Sequence, residues 1–212
     1  MRVPRLHVIC PDAVLAQPGF PDRAAGVLEA CGEEVAVHLR PRELPASACL
    51  DAAHRLARAA EAAGGWLVVN GRVDLALAAG AQGVQLGRGA LPIGAARRLL
   101  PDGVAIGASV HAAEEARVAA EDGADFLLLG TIYPTPSHPG LPAAGPGRIE
   151  ECAFVGRPLI AIGGIDAARV PEVLRAGAHG VAVIRAVWEA REPGRAASDL
   201  RDRLVAPGAE VG

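Results

Sequence analysis

Pro158-Leu159-Ile160-Ala161-Ile162-Gly163-Gly164-Ile165 and Ala176-Gly177-Ala178-His179-Gly180-Val181-Ala182-Val183-Ile184 decide the reading of this chain. Each is a short apolar run ending at a turn, with a helix-like stretch between them. The first run ends in a Gly-Gly pair, where backbone N–H groups can approach an anion with no Cβ in the way. In a (β/α)8 barrel the loops after strands seven and eight are the usual phosphate site. The pair therefore predicts a barrel, a strand count and a phosphorylated ligand held by Gly163, Gly164, Ile184 and Arg185. The plainer alternative is a tight strand-to-helix turn.

Six further strand candidates precede these two: Leu6–Cys10, Val35–Arg40, Trp66–Asn70, Gly83–Gly87, Val104–Ser109 and Phe126–Gly130. The last two strands are read as Leu159–Gly163 and Gly180–Ile184. Ala-rich stretches of helical period lie between strands, such as Leu50–Ala63 and Ala112–Asp122, and Val187–Arg203 reads as the closing helix. Gly80, Gly123 and Gly177 each punctuate the end of a helix and launch the next strand. Eight strands alternating with helices predict an α/β chain folded as a single (β/α)8 TIM barrel. No linker or composition shift divides residues 1–212, so one domain is expected.

Hydrophobic residues make up 51% of the 212 and aromatics 3%, so the core must be built from Ala, Val, Leu and Ile. No apolar stretch approaches the ~20 residues that span a bilayer, and the N-terminus lacks the apolar segment of a signal peptide. A cytoplasmic protein without membrane contact is expected. A net charge of −3 with no basic run speaks against nucleic acid. Cys10, Cys31, Cys49 and Cys152 are scattered without metal-like spacing and read as reduced thiols. All 21 basic residues are arginine. Lysine Schiff-base chemistry is thereby excluded, and cationic phosphate contacts fall to Arg or His. A homo-oligomer is left open.

Strand residues alternate faces. His38, Arg40 and Arg42 share one face of the second strand, opposite Val37 and Leu39. Two arginines at a strand end call for anionic partners, either a phosphate or carboxylate ligand or an internal Asp or Glu. Asn70 and Arg72 close the third strand, Gln85 lies in the fourth, and Ser109 and His111 end the fifth. Thr131, Tyr133, Thr135, Ser137 and His138 populate the loop after the sixth. Together they form a ring of polar groups at one end of successive strands, the pattern of a small-molecule site. His38, His111 and His138 are the candidates for proton transfer. His7 and His179 sit at strand starts and read as structural, and His54 as a helix residue. The Pro/Gly-rich segment 134–148 reads as a loop over the site.

Five segments in this order resemble the thiamin phosphate synthase/TenI superfamily. They are His38-Leu39-Arg40-Pro41-Arg42, Val69-Asn70-Gly71-Arg72-Val73-Asp74-Leu75-Ala76, Gly83-Val84-Gln85-Leu86-Gly87, Gly107-Ala108-Ser109-Val110-His111 and Gly130-Thr131-Ile132-Tyr133-Pro134-Thr135. The resemblance implies a barrel that binds a thiazole phosphate or thiamin phosphate. It offers two activities. One is a synthase that joins a pyrimidine diphosphate to a thiazole phosphate, with two acids holding Mg²⁺. The other is a metal-independent tautomerase that aromatises a carboxythiazole phosphate. The synthase acids are here Gly71 and Ala90, and its loop lysine is His138. The tautomerase histidine after strand six is here Thr131. Asn-Gly-Arg, Val-Gln-Leu and Ser-Val-His incline the reading to the tautomerase, with no metal and no cofactor. The synthase, with Mg²⁺, is the alternative, and a non-catalytic phosphate-binding barrel is the third reading.

On the tautomerase reading His138, His111 and His38 move the proton. Arg40, Arg42, Asn70, Arg72, Gln85, Ser109, Thr131, Thr135 and Ser137 hold the substrate.

Overall fold

The computed structural model describes residues 2–136 and 142–206. Eight parallel strands close in sequence order into one barrel. They are β1 (Leu6–Pro11), β2 (Val35–Arg40), β3 (Trp66–Asn70), β4 (Gly83–Leu86), β5 (Ala105–Val110), β6 (Phe126–Gly130), β7 (Leu159–Ile162) and β8 (Gly180–Val183). β1 pairs with both β2 and β8, so no strand edge is left open.

Helices pack outside the strands by regular apolar spacing. Ala46–Ala63 buries Cys49, Ala53, Leu56 and Ala60, one residue per turn on one face. The glycine stops behave as expected. Gly80, Gly123 and Gly177 take φ of 65°, 97° and 99°, the left-handed region open to glycine at a helix end. One helix differs from expectation. The closing stretch is two helices, Arg185–Trp188 and Pro193–Val205. Proline lacks the N–H that a continuous helix needs, but fits the first turn of a new one.

The closed sheet separates two apolar layers. The outer layer lies between strands and helices and holds Val8, Val37, Leu39, Val69, Val84, Leu127 and Val181 among many others. The inner layer is small: Val3, Ile9, Ala105, Phe126, Leu128, Ile160 and Ala182. Register places His7 and Ile9 of β1, His38 and Arg40 of β2, Asn70 of β3, Gln85 of β4 and Ser109 of β5 on this same inner parity. Glycine makes room for the larger inner side chains. A Cβ on Gly107 would overlap Gln85 Oε1 and the Phe126 ring. At the barrel floor a Cβ on Gly180 would overlap the Arg5 carbonyl, which accepts from Val181 N–H at 2.9 Å.

Three polar side chains are fully buried among the described residues: His7, His38 and Gln85. His7 Nδ1 lies 2.8 Å from His38 Nε2, and its Nε2 lies 3.0 Å from the Pro4 carbonyl. The Phe126 ring covers His7 at 5.3 Å between centroids. Burial disfavours the charged ring, so His7 is held well below the usual histidine range and His38 is lowered to about 4.

Two outcomes follow from this interior. Gly180→Ala should lower stability by about 1–3 kcal/mol in urea unfolding, because a backbone carbonyl cannot give way as a side chain can. The histidines set a second, pH-dependent outcome. Their folded pKa values lie below the unfolded value, so the unfolded chain binds more protons as pH falls from 6.5 towards 4. Stability should be full above that window and fall within it. Each histidine adds a slope of up to about 1.4 kcal/mol per pH unit. Urea midpoints across the window should show a shallower fall for His38→Gln.

Candidate functional site

The C-terminal ends of the strands carry Arg40, Asn70 and Ser109, followed by the loops after β6, β7 and β8. Arg40 is the last residue of β2 and is half-buried. No hydrogen bond or ion pair among the described residues uses its guanidinium. Burial and then the neighbouring Arg42 charge press its pKa down, and Asp12 offsets part of this. Asp12 is spent on the loop after β2, where its carboxylate accepts from Arg42 N–H at 2.9 Å. The side chain of Arg42 is exposed, and it too has no ion pair among the described residues. Of the two partners considered for these arginines, the internal acid is Asp12 acting at a distance, with no ion pair to either guanidinium among the described residues.

Asn70 closes β3 half-buried, with one end of its amide 3.0 Å from His38 Nδ1. Beside it on β4, Gln85 donates from Nε2 to Ser109 Oγ at 3.0 Å, and Gln85 Oε1 is buried with no hydrogen-bond partner. Two polar stems thus rise from the interior, His7–His38–Asn70 and Gln85–Ser109, and each ends at the barrel mouth.

The glycine pair after β7 is shaped by its neighbours. Gly163 has φ 107°, and a Cβ there would lie 2.5 Å from Thr131 Cγ2. Gly164 has φ 62°, and a Cβ there would lie 2.6 Å from the Pro134 carbonyl. The pair is therefore more than a turn, because it lets the β6 loop lie against the β7 loop. Tyr133 N–H donates to Gly163 O at 3.0 Å. The Tyr133 hydroxyl donates to Glu172 at 2.6 Å, and Arg169 stacks on the Tyr133 ring while donating to the Gly164 carbonyl. Arg185 and Ala186 open the short helix after β8, where the first N–H groups have no carbonyl four residues back. Trp188 Nε1 pins this helix by donating to Ile9 O at 2.9 Å.

Several expected site residues stand elsewhere. His38 is fully buried, with both ring nitrogens engaged, and cannot carry a proton to a ligand. Gln85 is equally buried and reaches the mouth only through Ser109. Arg72 is bound through two contacts to Asp74, at 2.8 and 2.6 Å, with both side chains largely exposed. His111 is exposed, with Nδ1 3.1 Å from Glu115. Thr131 and Thr135 are half-buried in the β6 loop. Ser137 and His138 lie outside the described residues. The later part of that loop is tied back by Ala144 N–H to Thr131 O and Gly145 N–H to Ile132 O, each 2.9 Å.

The donor set does not fit a hard divalent cation, which takes oxygen ligands. No cluster of three His, Cys, Asp or Glu side chains able to hold a metal occurs among the described residues. Gly71 donates its N–H to Gln85 O at 2.8 Å and brings no side chain. Asp74, the acid nearest in sequence, is spent on Arg72. No helix among the described residues is long and apolar enough to cross a membrane.

Sequence reasoning passed over His7, which it placed among structural residues at strand starts. The available signal was parity, since His7 and His38 fall on inner positions of neighbouring strands.

Comparison with known proteins places this geometry. The family model described as thiamine monophosphate synthase (TMP-TENI) matches residues 8–187. A thiamine-phosphate synthase of Methanoculleus marisnigri is 44% identical over 185 residues, 86% of this chain and 88% of that protein. One of Gloeobacter violaceus is 44% identical over 169 residues, 79% of this chain but only 50% of that longer protein. A solved thiamine phosphate pyrophosphorylase from Pyrococcus furiosus superposes with a TM-score of 0.83 at 33% identity, covering 94% of this chain and 95% of that one. The relatives carry the synthase name, against the inclination of the motifs to the tautomerase. The chain belongs to the thiamine monophosphate synthase (TMP-TENI) family of barrel enzymes.

Proposed function

We propose that this enzyme joins a pyrimidine diphosphate to a thiazole phosphate and releases pyrophosphate. The observation that carries the reading is Arg40, a half-buried guanidinium at a strand end with no ion pair among the described residues and only partial compensation from Asp12. A buried charge needs a counter-charge, and a planar guanidinium binds phosphate oxygens through two parallel hydrogen bonds. The synthase names of relatives at 44% identity support the same choice.

The geometry supports the following roles. Arg40, with Arg42 beyond it, faces the diphosphate. Negative charge develops on that group as the bond to the pyrimidine methylene breaks, and a fixed guanidinium stabilises it without reorganisation. The thiazole nitrogen forms the new bond to that carbon. The backbone around Gly164 and the start of Arg185–Trp188 holds the thiazole phosphate. Tyr133 and Arg169 keep the β6 loop against it. The residues place no carboxylate for a metal at positions 71 and 90, so the diphosphate charge falls to arginine.

That same vacancy favours a second reading, the metal-independent tautomerase. Against it, Thr131 replaces the tautomerase histidine, and His38 and His111 are engaged with other side chains. The two readings separate in one assay, run with purified protein with and without Mg²⁺. Thiamin phosphate should form when both substrates are supplied, and EDTA should lower its rate less than about tenfold, one hydrogen bond's worth. Aromatisation of carboxythiazole phosphate with no thiamin phosphate would establish the tautomerase. Binding without turnover would leave a binding barrel.

Arg40→Met should weaken inorganic pyrophosphate binding by about tenfold or more in calorimetry. It should also raise the urea midpoint, because it removes a half-buried charge that Asp12 compensates only in part. Unchanged pyrophosphate affinity would remove Arg40 from the site.

A further inference from the structure

The two glycines after β7 leave one peptide group with unusual freedom. The peptide between Gly163 and Gly164 turns through ψ of the first and φ of the second, and glycine admits both signs of φ. Either face of this peptide can therefore look out from the loop. In the structure Gly163 O accepts from Tyr133 N–H at 3.0 Å, so the carbonyl faces the β6 loop. The peptide is trans, and its N–H points the opposite way. β7 lies between β6 and β8, so the N–H of Gly164 stands on the side of the loop after β8. Among the described residues no hydrogen bond uses it. Turned over, the same peptide would show its carbonyl there, an acceptor facing the acceptor oxygens of a phosphate.

The choice between the two faces falls to the bond from Tyr133 N–H, and Tyr133 is only half-buried. Its side chain is held from two directions. The hydroxyl donates to Glu172 Oε2 at 2.6 Å, and Glu172 belongs to the helix Val170–Arg175. The Arg169 guanidinium lies 4.4 Å from the ring centroid and donates to Gly164 O, which fixes the next peptide as well. Asp166 closes the turn that brings Arg169 back, accepting from its N–H at 3.2 Å. Burial and then Glu172 push the Tyr133 hydroxyl up to about 12, so it remains a donor at neutral pH.

We propose that Tyr133 is a positioning residue: Glu172 and Arg169 lock its ring, and its N–H then holds the Gly163–Gly164 peptide with the N–H of Gly164 turned to the ligand phosphate. Its side chain acts through the backbone, not on the ligand. That a phosphate sits there rests on the proposed function, whereas the lock and the peptide orientation rest on the protein alone.

The test has two arms. Tyr133 is the only tyrosine of the chain, so labelling with ¹⁵N-tyrosine gives one backbone amide signal, that of the bond in question. Its hydrogen exchange should be slowed at least about tenfold against the unfolded chain, one net hydrogen bond. Glu172→Ala removes the acceptor of the hydroxyl, and exchange should quicken by about the same factor. In Glu172→Gln a side-chain carbonyl can accept again, and the protection should return. An unprotected amide in the unaltered protein, or exchange unmoved in Glu172→Ala, overturns the lock.

The second arm is calorimetric binding of the thiazole phosphate and of the same thiazole without its phosphate. The unaltered protein should prefer the phosphorylated form. Glu172→Ala and Tyr133→Phe should each cut that preference about tenfold with the affinity for the unphosphorylated thiazole unchanged, and Glu172→Gln should keep it. Equal weakening of both ligands is the mark of a general structural defect and overturns the positioning role, as does an unchanged preference. A protein that binds both thiazoles alike overturns the phosphate reading and the ligand half of the proposal, and amide exchange then judges the lock by itself. If Glu172→Ala does not fold, Tyr133→Phe, which removes only the hydroxyl, decides in its place through the binding arm.

Discussion

A polar group sealed inside a closed barrel has only a few other inward-facing groups to bond, and among the described residues Gln85 Oε1 is one that finds none. This constraint organises the molecule from the floor to the mouth. His7 answers Pro4 below and His38 beside it, His38 answers Asn70, and Gln85 answers Ser109. Each bond passes the demand one layer upward, until it reaches a residue at the strand end. Asn70 and Ser109 are therefore oriented from beneath before any ligand arrives, which is the arrangement a binding site needs. The glycines complete it. Gly107 is small because Gln85 and Phe126 occupy its side of the interior, and Gly163 and Gly164 are small because the β6 loop lies on them.

The fold was legible because its signals are local. Apolar runs of four to six residues, glycine stops and intervening helical periods placed all eight strands within a residue at each end. Parity was legible in part: it put His38 and Arg40 on one face of the second strand, and the register of the closed barrel makes that the inner side, with Asn70, Gln85 and Ser109 on it. Depth was not legible. His38 lies two residues before Arg40, about 6.6 Å further down at the rise of a parallel strand, and that distance turns a proton carrier into a buried support. Gln85 sits below the mouth for the same reason. Nor does parity tell whether a polar side chain meets a ligand or a neighbour. Arg72 found Asp74 two residues on, His111 found Glu115 one helical turn on, and His38 found His7 across a strand boundary. The break in the last helix is a different case. Pro193 announced it, and the periodic reading ran over it.

The charge at the mouth can be argued from the same residues. A site with two carboxylates and one divalent cation carries −2 + 2 = 0 formal charge from those three parts. Losing both acids together with the cation leaves the sum at zero, whereas losing the acids alone would leave an unsupported cation. Gly71 and Ala90 have no carboxylate, and on the proposed reading Arg40 and Arg42 are the charges at the strand-two end that would meet a diphosphate. Guanidinium suits this work, because its charge is delocalised and survives partial burial. A lysine at the position of Arg40 would more readily lose its proton on burial, and the chain has no lysine anywhere. On that reading, arginine at the strand-two end and vacancy at the two acid positions form one electrostatic arrangement. The neutral stem beneath Asn70 belongs to it. A protonated histidine pair would add a third positive charge to the mouth, and burial among Ile9, Phe126 and the strand backbones keeps that charge out.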